Sequence, residues 1–264
     1  MKVAAIQMIS GPVVADNLQR AALLIAQAAS AGAQLVALPE YFPLIGASDA
    51  DRLDARETDQ HGPIQTFLAL AAKQHGLWLV GGSLPMLAND PQKMRNTCLV
   101  FNPQGLRVAR YDKIHLFGFR QGEEAYDEAA TIEAGQQIVS VDLPFGRVGI
   151  AICYDLRFPE LFRAMGEIDL LVLPAAFTET TGSAHWELLL RARAVENQCY
   201  VLASAQGGRH PNGRMTHGNS MLIDPWGDIV ARMDKGEGVI AGDLEKSRIV
   251  DIRGRLPALA HRTL

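Results

Sequence analysis

Cysteine is scarce: the 264 residues hold only three, Cys98, Cys153 and Cys199. Three thiols cannot form a closed set of disulfides, and none lies in a Cys-x-x-Cys pair. A zinc ribbon and a thioredoxin-like motif are therefore excluded. Long apolar runs are missing as well. The opening Met1–Met8 reads as a strand too short for a signal-peptide core, and no stretch approaches the roughly 20 apolar residues of a membrane span. There is no excess of positive charge either. Lys and Arg total 25 against 29 Asp and Glu, a net charge of −4, which gives no reason to expect nucleic acid or an anionic membrane as partner. The expectation is a reduced, cytoplasmic protein whose partner is a small molecule or another subunit.

What is present is an ordinary globular balance, 48% hydrophobic and 20% charged, in a chain long enough for one large α/β domain with a well-buried core. Its most informative feature is an internal echo. Asn102-Pro103-Gln104-Gly105-Leu106-Arg107-Val108-Ala109-Arg110 and Asp224-Pro225-Trp226-Gly227-Asp228-Ile229-Val230-Ala231-Arg232 share Asn/Asp-Pro-x-Gly-x-x-Val-Ala-Arg. Pro presets a turn and Gly supplies positive φ, so each predicts a β-hairpin: Thr97–Phe101 into Leu106–Tyr111, and Ser220–Ile223 into Ile229–Met233. The apolar run Leu35–Pro39 matches Leu170–Pro174, Val3–Ile6 matches Val148–Ile152, and Leu77–Val80 matches Tyr200–Ala203. Helical patterns fill the gaps at Asn17–Ala31, Pro63–His75, Pro159–Met165 and Trp186–Asn197. Each half, about 1–111 and 147–233, thus reads β-α-β-α-β plus a hairpin. Alternation of this kind implies a mostly parallel sheet with right-handed crossovers. Two such sheets packed face to face predict a four-layer α-β-β-α sandwich forming one domain over 1–264. Residues Asp112–Val139 have no counterpart in the first half and are a natural place for active-site loops.

Three segments at predicted strand ends carry chemistry, and in α/β sheets that edge is where ligands usually bind. In Gly149-Ile150-Ala151-Ile152-Cys153-Tyr154-Asp155-Leu156-Arg157-Phe158-Pro159-Glu160 a buried strand runs into Cys153 and then turns into a helix. A thiol there lies toward the positive end of the helix dipole, which favours the thiolate, and the Tyr154 amide could face an oxyanion. In Leu38-Pro39-Glu40-Tyr41-Phe42 a carboxylate directly follows a core strand, where it needs a partner or solvent. In Tyr111-Asp112-Lys113-Ile114-His115-Leu116-Phe117 an ammonium sits among apolar residues, where it would pair with a carboxylate. Taken singly, each has an ordinary reading: a small core residue, a solvated loop acid, a surface lysine.

Together, in that chain order and those contexts, Glu40, Lys113 and Cys153 resemble the Glu-Lys-Cys signature of the nitrilase superfamily of carbon–nitrogen hydrolases. The resemblance extends over essentially the whole chain, including Ile6-Gln7 and Arg193–Asn197. It implies the same four-layer sandwich and a homodimer in which sandwiches meet face to face. Metals and organic cofactors have no part in the chemistry it implies. The family commonly has a further acid in the segment ahead of the cysteine strand. Glu128, with Gly135 following, fits, and Glu123, Glu124 and Glu133 are its neighbours. The implied chemistry is attack by Cys153 on an amide carbonyl, with the oxyanion held by Lys113 Nζ and the Tyr154 amide. Glu40 shuttles the proton to the leaving amine and then activates water.

The segment from Pro174 to Gly227 is similar in particular to the Nit-type branch of amidases acting on deaminated glutathione. This implies cleavage of an N-(2-oxoglutaryl)-type cysteinylglycine to 2-oxoglutarate and the dipeptide. An ω-amidase for 2-oxoglutaramate or 2-oxosuccinamate is the neighbouring reading. A doubly acidic substrate needs cationic groups, for which Arg157 and Arg209 are candidates. Two other classes are open: an inactive binding protein on the same fold, and a papain-like protease, whose Cys-Gly-x-Cys context is absent. A metal site on His210 and His217 lacks the usual spacing. Those two histidines are expected in solvent or at the pocket rim.

Overall fold

The protein is described by a computed structural model covering residues 1–122 and 124–263. Its strands in chain order are β1 (Lys2–Gln7), β2 (Leu35–Ala37), β3 (Trp78–Val80), β4 (Leu84–Leu87), β5 (Met94–Phe101), β6 (Arg107–Asp112), β7 (Gly118–Gln121) and β8 (Glu124–Asp127). They continue with β9 (Val139–Leu143), β10 (Gly146–Ile150), β11 (Leu170–Ala175), β12 (Tyr200–Ala205), β13 (Met221–Ile223), β14 (Ile229–Arg232) and β15 (Gly238–Asp243). The helices are α1 (Val14–Ser30), α2 (Asp49–Asp54), α3 (Pro63–His75), α4 (Pro159–Ala164), α5 (Glu179–Asn197) and α6 (Lys246–Arg255).

Alternation of side chains along the strands builds the layers. In the first sheet, ordered β15-β1-β2-β3-β5-β4 with β6 also on β5, Val3, Ala5, Leu35, Ala37, Val80 and Val100 face the second sheet. Their neighbours Ala4, Ile6, Val36, Leu79 and Leu99 face outward onto Ala21, Leu24 and Ile25 of α1 and Ile64 and Leu68 of α3. The second sheet runs β14-β13-β12-β11-β10-β9 and packs Phe162 of α4 with Trp186, Leu190 and Ala194 of α5. The result is the anticipated α-β-β-α sandwich. In both sheets three central strands are parallel, β1-β2-β3 and β10-β11-β12. Each trio is flanked by antiparallel strands, β15 and β5 in one and β9 and β13 in the other.

Strand and helix positions agree with the sequence reading to within a few residues, and the differences have local causes. Helix α5 begins at Glu179 rather than Trp186, because Thr178 caps it: its side chain accepts a hydrogen bond from the Thr181 N–H. Residues 179–185 thus join the helix ahead of Trp186. Strand β10 stops at Ile150, leaving Ala151 and Ile152 as the approach to Cys153. Cys199 lies between α5 and β12 and is buried. The segment after residue 233, which has no place in the echo, supplies β15 at the edge of β1 and then α6.

The two sheets are joined where the site lies. Met8 bridges Gln206 in parallel fashion, with Gly207 N–H donating to Met8 O at 2.9 Å. The Ser204 hydroxyl donates to Leu38 O at 2.7 Å. These contacts bring the carboxyl ends of β1 and β2 against that of β12, so the loops after the parallel strands of both halves converge.

Candidate active site

Glu40 sits in the turn after β2, 1% exposed where it lines the pocket, and its carboxylate oxygens are held by hydrogen bonds. Oε1 accepts from Lys113 Nζ at 3.0 Å and from Asn96 Nδ2 at 2.9 Å, while Oε2 accepts from the Ala176 N–H at 2.9 Å. Lys113 follows β6 and is only 1% exposed. Its backbone is held on both sides, the N–H by Asn96 O and the carbonyl by the Gly135 N–H. Nζ also donates to Glu128, at 2.8 Å to Oε2 and 3.1 Å to Oε1. Burial opposes charge on this amine, but Glu128 and Glu40 outweigh it and hold its pKa well above the ordinary lysine value. Lys113 is an ammonium fixed between two carboxylates.

Glu128 opens a short 3-10 turn after β8. Its Oε2 also accepts from the Phe117 N–H at 2.7 Å, and its Oε1 from the Tyr41 hydroxyl at 3.3 Å. Of the neighbouring acids, Glu124 accepts from Thr180 and Glu133 pairs with Arg95. Glu123 lies outside the described residues.

Cys153 begins a 3-10 turn, Cys153–Arg157, with φ +50°, a left-handed conformation that costs a non-glycine residue free energy and is typical of functional positions. Asp155, two residues on, fixes this turn. It is fully buried and accepts from the Ile152 N–H at 2.8 Å, the Tyr111 hydroxyl at 2.7 Å and the His115 N–H at 3.0 Å. Residues on both sides of Lys113 are thereby tied to the cysteine turn. No helix dipole favours a thiolate at Cys153. Helix α4 is six residues long and starts at Pro159, so little dipole reaches the sulfur. Burial, followed by the Glu40 carboxylate, pushes the Cys153 thiol well above the ordinary cysteine range, with Lys113 opposing.

Glu40, Glu128, Cys153 and Tyr154 line one pocket with Tyr41, Phe117, Ala176, Phe177, Thr178, Thr181 and Arg214. Three distant stretches of chain thus meet, as the motif order anticipated. Tyr154 packs edge-on against Phe117 and Phe158. Arg157 lies outside the wall, over the rings of Tyr154 and Phe177 and 3.2 Å from His185 Nδ1. Arg209 is exposed and does not line the pocket; Arg214, five residues on, does. His210 and His217 are not in solvent. His210 is buried between Ser10 O and the Thr216 hydroxyl, and His217 is half-buried against Asn219. Sequence reasoning missed Asn96, Asp155, Ala176 and Arg214. Asp155 stands inside the quoted Cys-Tyr-Asp segment and was within reach. Asn96 on a strand and Arg214 in a Gly-rich loop give no local signal.

The family model for carbon-nitrogen hydrolase matches residues 2–253. The chain belongs to the carbon-nitrogen hydrolase family. As a carbon-nitrogen hydrolase it cleaves C–N bonds other than peptide bonds, and it falls within the nitrilase superfamily. It is 41% identical to a deaminated glutathione amidase of Synechocystis, over 98% of this chain and 97% of that one. It is 37% identical to omega-amidase NIT2-A of Xenopus laevis, over 99% and 94%. Among solved structures, Saccharomyces cerevisiae Nit3, a member of branch 10 of the nitrilase superfamily, superposes with a TM-score of 0.89 at 33% identity, covering 100% of this hydrolase and 97% of that chain. Among its described residues no helix is long and apolar enough to cross a membrane.

Proposed function

We propose that this hydrolase is a deaminated glutathione amidase, cleaving the amide between a 2-oxoglutaryl group and cysteinylglycine through a thioester on Cys153. The observation that carries the mechanism is the ion cluster of the buried Lys113 between Glu40 and Glu128, with the Cys153 thiol in the same pocket. As sulfur attacks the carbonyl carbon, its proton passes to Glu40. The oxyanion forms against the Tyr154 N–H and Lys113 Nζ, the latter already held by Glu40 and Glu128. Glu40 gives the proton to the departing nitrogen, the C–N bond breaks and the thioester remains. Glu40 then takes a proton from water, hydroxide adds to the thioester, and the thiol leaves reprotonated. Glu128 orients Lys113.

The choice of amide rests on the full-length similarity to deaminated glutathione amidases, which is somewhat greater than that to the omega-amidases. Arg157 is our candidate for the terminal carboxylate of the leaving dipeptide, since its guanidinium lies just beyond the pocket wall. Arg209 is not proposed for binding. Side-by-side turnover of deaminated glutathione and 2-oxoglutaramate tests the choice: a clear preference for 2-oxoglutaramate makes the protein an ω-amidase. Intact-mass detection of a 2-oxoglutaryl adduct on Cys153 tests the thioester.

We further propose a homodimer. On one face of α5, Leu188 and Val195 are 67% and 49% exposed, and Trp226 beside them is 51% exposed, an apolar patch that a second copy would cover. A monomeric mass by light scattering refutes it. The three unpaired cysteines, all buried, support a cytoplasmic setting.

A further inference from the structure

Formal charge in and beside the pocket is balanced: Glu40 and Glu128 against Lys113 and Arg214. The two cations are used differently. Lys113 directs its donors at its two carboxylates, whereas Arg214 makes no ion pair among the described residues. Arg214 is held in place by neutral contacts. Nη2 donates to Ala176 O at 3.2 Å, and the guanidinium lies 5.3 Å from the centre of the Tyr126 ring. Its backbone is fixed by the Asn212 side chain and by the His210 N–H, and two residues on Thr216 bridges Thr178. The Ala176 peptide that receives Arg214 on its carbonyl side gives its N–H to Glu40, so guanidinium and general base bracket one residue. Arg214 Nε is buried with no hydrogen-bond partner. An unpaired donor on a permanent cation is costly unless something in the pocket accepts from it.

We infer that Arg214 binds a carboxylate at the far end of the substrate's acyl chain, so that the enzyme selects ω-amides of dicarboxylic acids over neutral amides of the same length. This rests on the amidase reading above and assigns its specificity to one residue. Phe117, Tyr154, Ala176 and Phe177 form the wall along which the carbon chain lies between the sulfur and Arg214. The planar fork of arginine suits a carboxylate better than a lysine does. With Arg214 removed, the remaining charges sum to −1, and an anionic acyl chain meets net repulsion.

The test compares glutaramate with pentanamide, which has the same chain length but no carboxylate. Arg214→Met should lower kcat/KM for glutaramate about 100-fold and leave pentanamide within about threefold; retained pentanamide turnover shows that the fold survives. Arg214→Lys should recover part of the loss. Equal losses on both amides, or no preference for glutaramate in the unaltered enzyme, overturn the inference. A second arm needs no turnover: calorimetric binding of both compounds to Cys153→Ala, with and without Arg214→Met. If the enzyme hydrolyses neither amide but Cys153→Ala binds glutaramate in an Arg214-dependent way, the amidase reading fails and this inference stands. If hydrolysis proceeds with equal effects on both, the reverse holds.

Discussion

The two halves use the same turn in one place and opposite chemistry in another. In the hairpin after β5, Asn102 O accepts from the Gly105 N–H at 2.8 Å, and its side chain accepts from Gln104 and Leu106. In the hairpin after β13, Asp224 O accepts from the Gly227 N–H at 2.9 Å, and its side chain accepts from Trp226 and Asp228. Both glycines have positive φ, +78° and +91°. By contrast, Leu38-Pro39-Glu40 after β2 corresponds to Leu173-Pro174-Ala175 ending β11. One half puts a carboxylate there and the other a methyl group. The first half and the segment following it supply the carboxylates and the ammonium; the second supplies the sulfur and the peptide N–H that Glu40 grips. Repetition built the scaffold, and departures from it supply the candidate site residues.

The largest expected effect tests that division. Cys153→Ala should leave less than about 10⁻⁴ of wild-type turnover and no acyl adduct by intact mass; a few per cent of residual activity would place the nucleophile elsewhere. Lys113→Ala should cost about 100- to 1000-fold in kcat. Because it leaves the buried Glu40 and the half-buried Glu128 without their cation, it should also lower stability by about 3–5 kcal/mol in urea titrations. An active, fully stable variant would show that the cluster is dispensable.

The matched turns sharpen the comparison at smaller scale. Alanine at either glycine meets the left-handed penalty of about 1 kcal/mol. At Gly105 the new Cβ would also stand 2.6 Å from the backbone carbonyl of Ala69, whereas at Gly227 it meets only the tip of Val195 at 2.8 Å. Gly105→Ala should therefore be the more destabilising, by about 1–2 kcal/mol, in thermal or urea unfolding; equal effects would mean that the first turn yields more readily than its packing suggests.

The buried thiols give the gentlest test. Burial pushes Cys199 up to about 12 from an ordinary 9.0 and raises Cys98 as well. Above pH 9 the unfolded chain loses these protons while the folded chain keeps them, so stability must fall as pH rises. The slope is about 1.4 kcal/mol per pH unit per thiol, and replacing Cys199 by alanine should lessen it between pH 9 and 11. A slope unchanged by that substitution would mean that Cys199 titrates like an exposed thiol.

Sequence by itself determined the β-α-β alternation and the paired hairpins, and it pointed to Glu40, Lys113, Glu128 and Cys153 as candidates. Each is written locally, in strand-length apolar runs, Pro-x-Gly turns and short motifs whose residue types need no distant partner to be recognised. Tertiary structure decided what depends on environment. It packed Lys113 between two carboxylates, and it pushed the Cys153 thiol's pKa up through burial and the Glu40 carboxylate, because desolvation and a neighbouring charge act through space. It placed Arg214, and not Arg209, in the pocket wall. Both stand in the same Gly-rich stretch, whose path is fixed by hydrogen bonds to Ser10, Ala176 and Thr178, residues far removed in sequence.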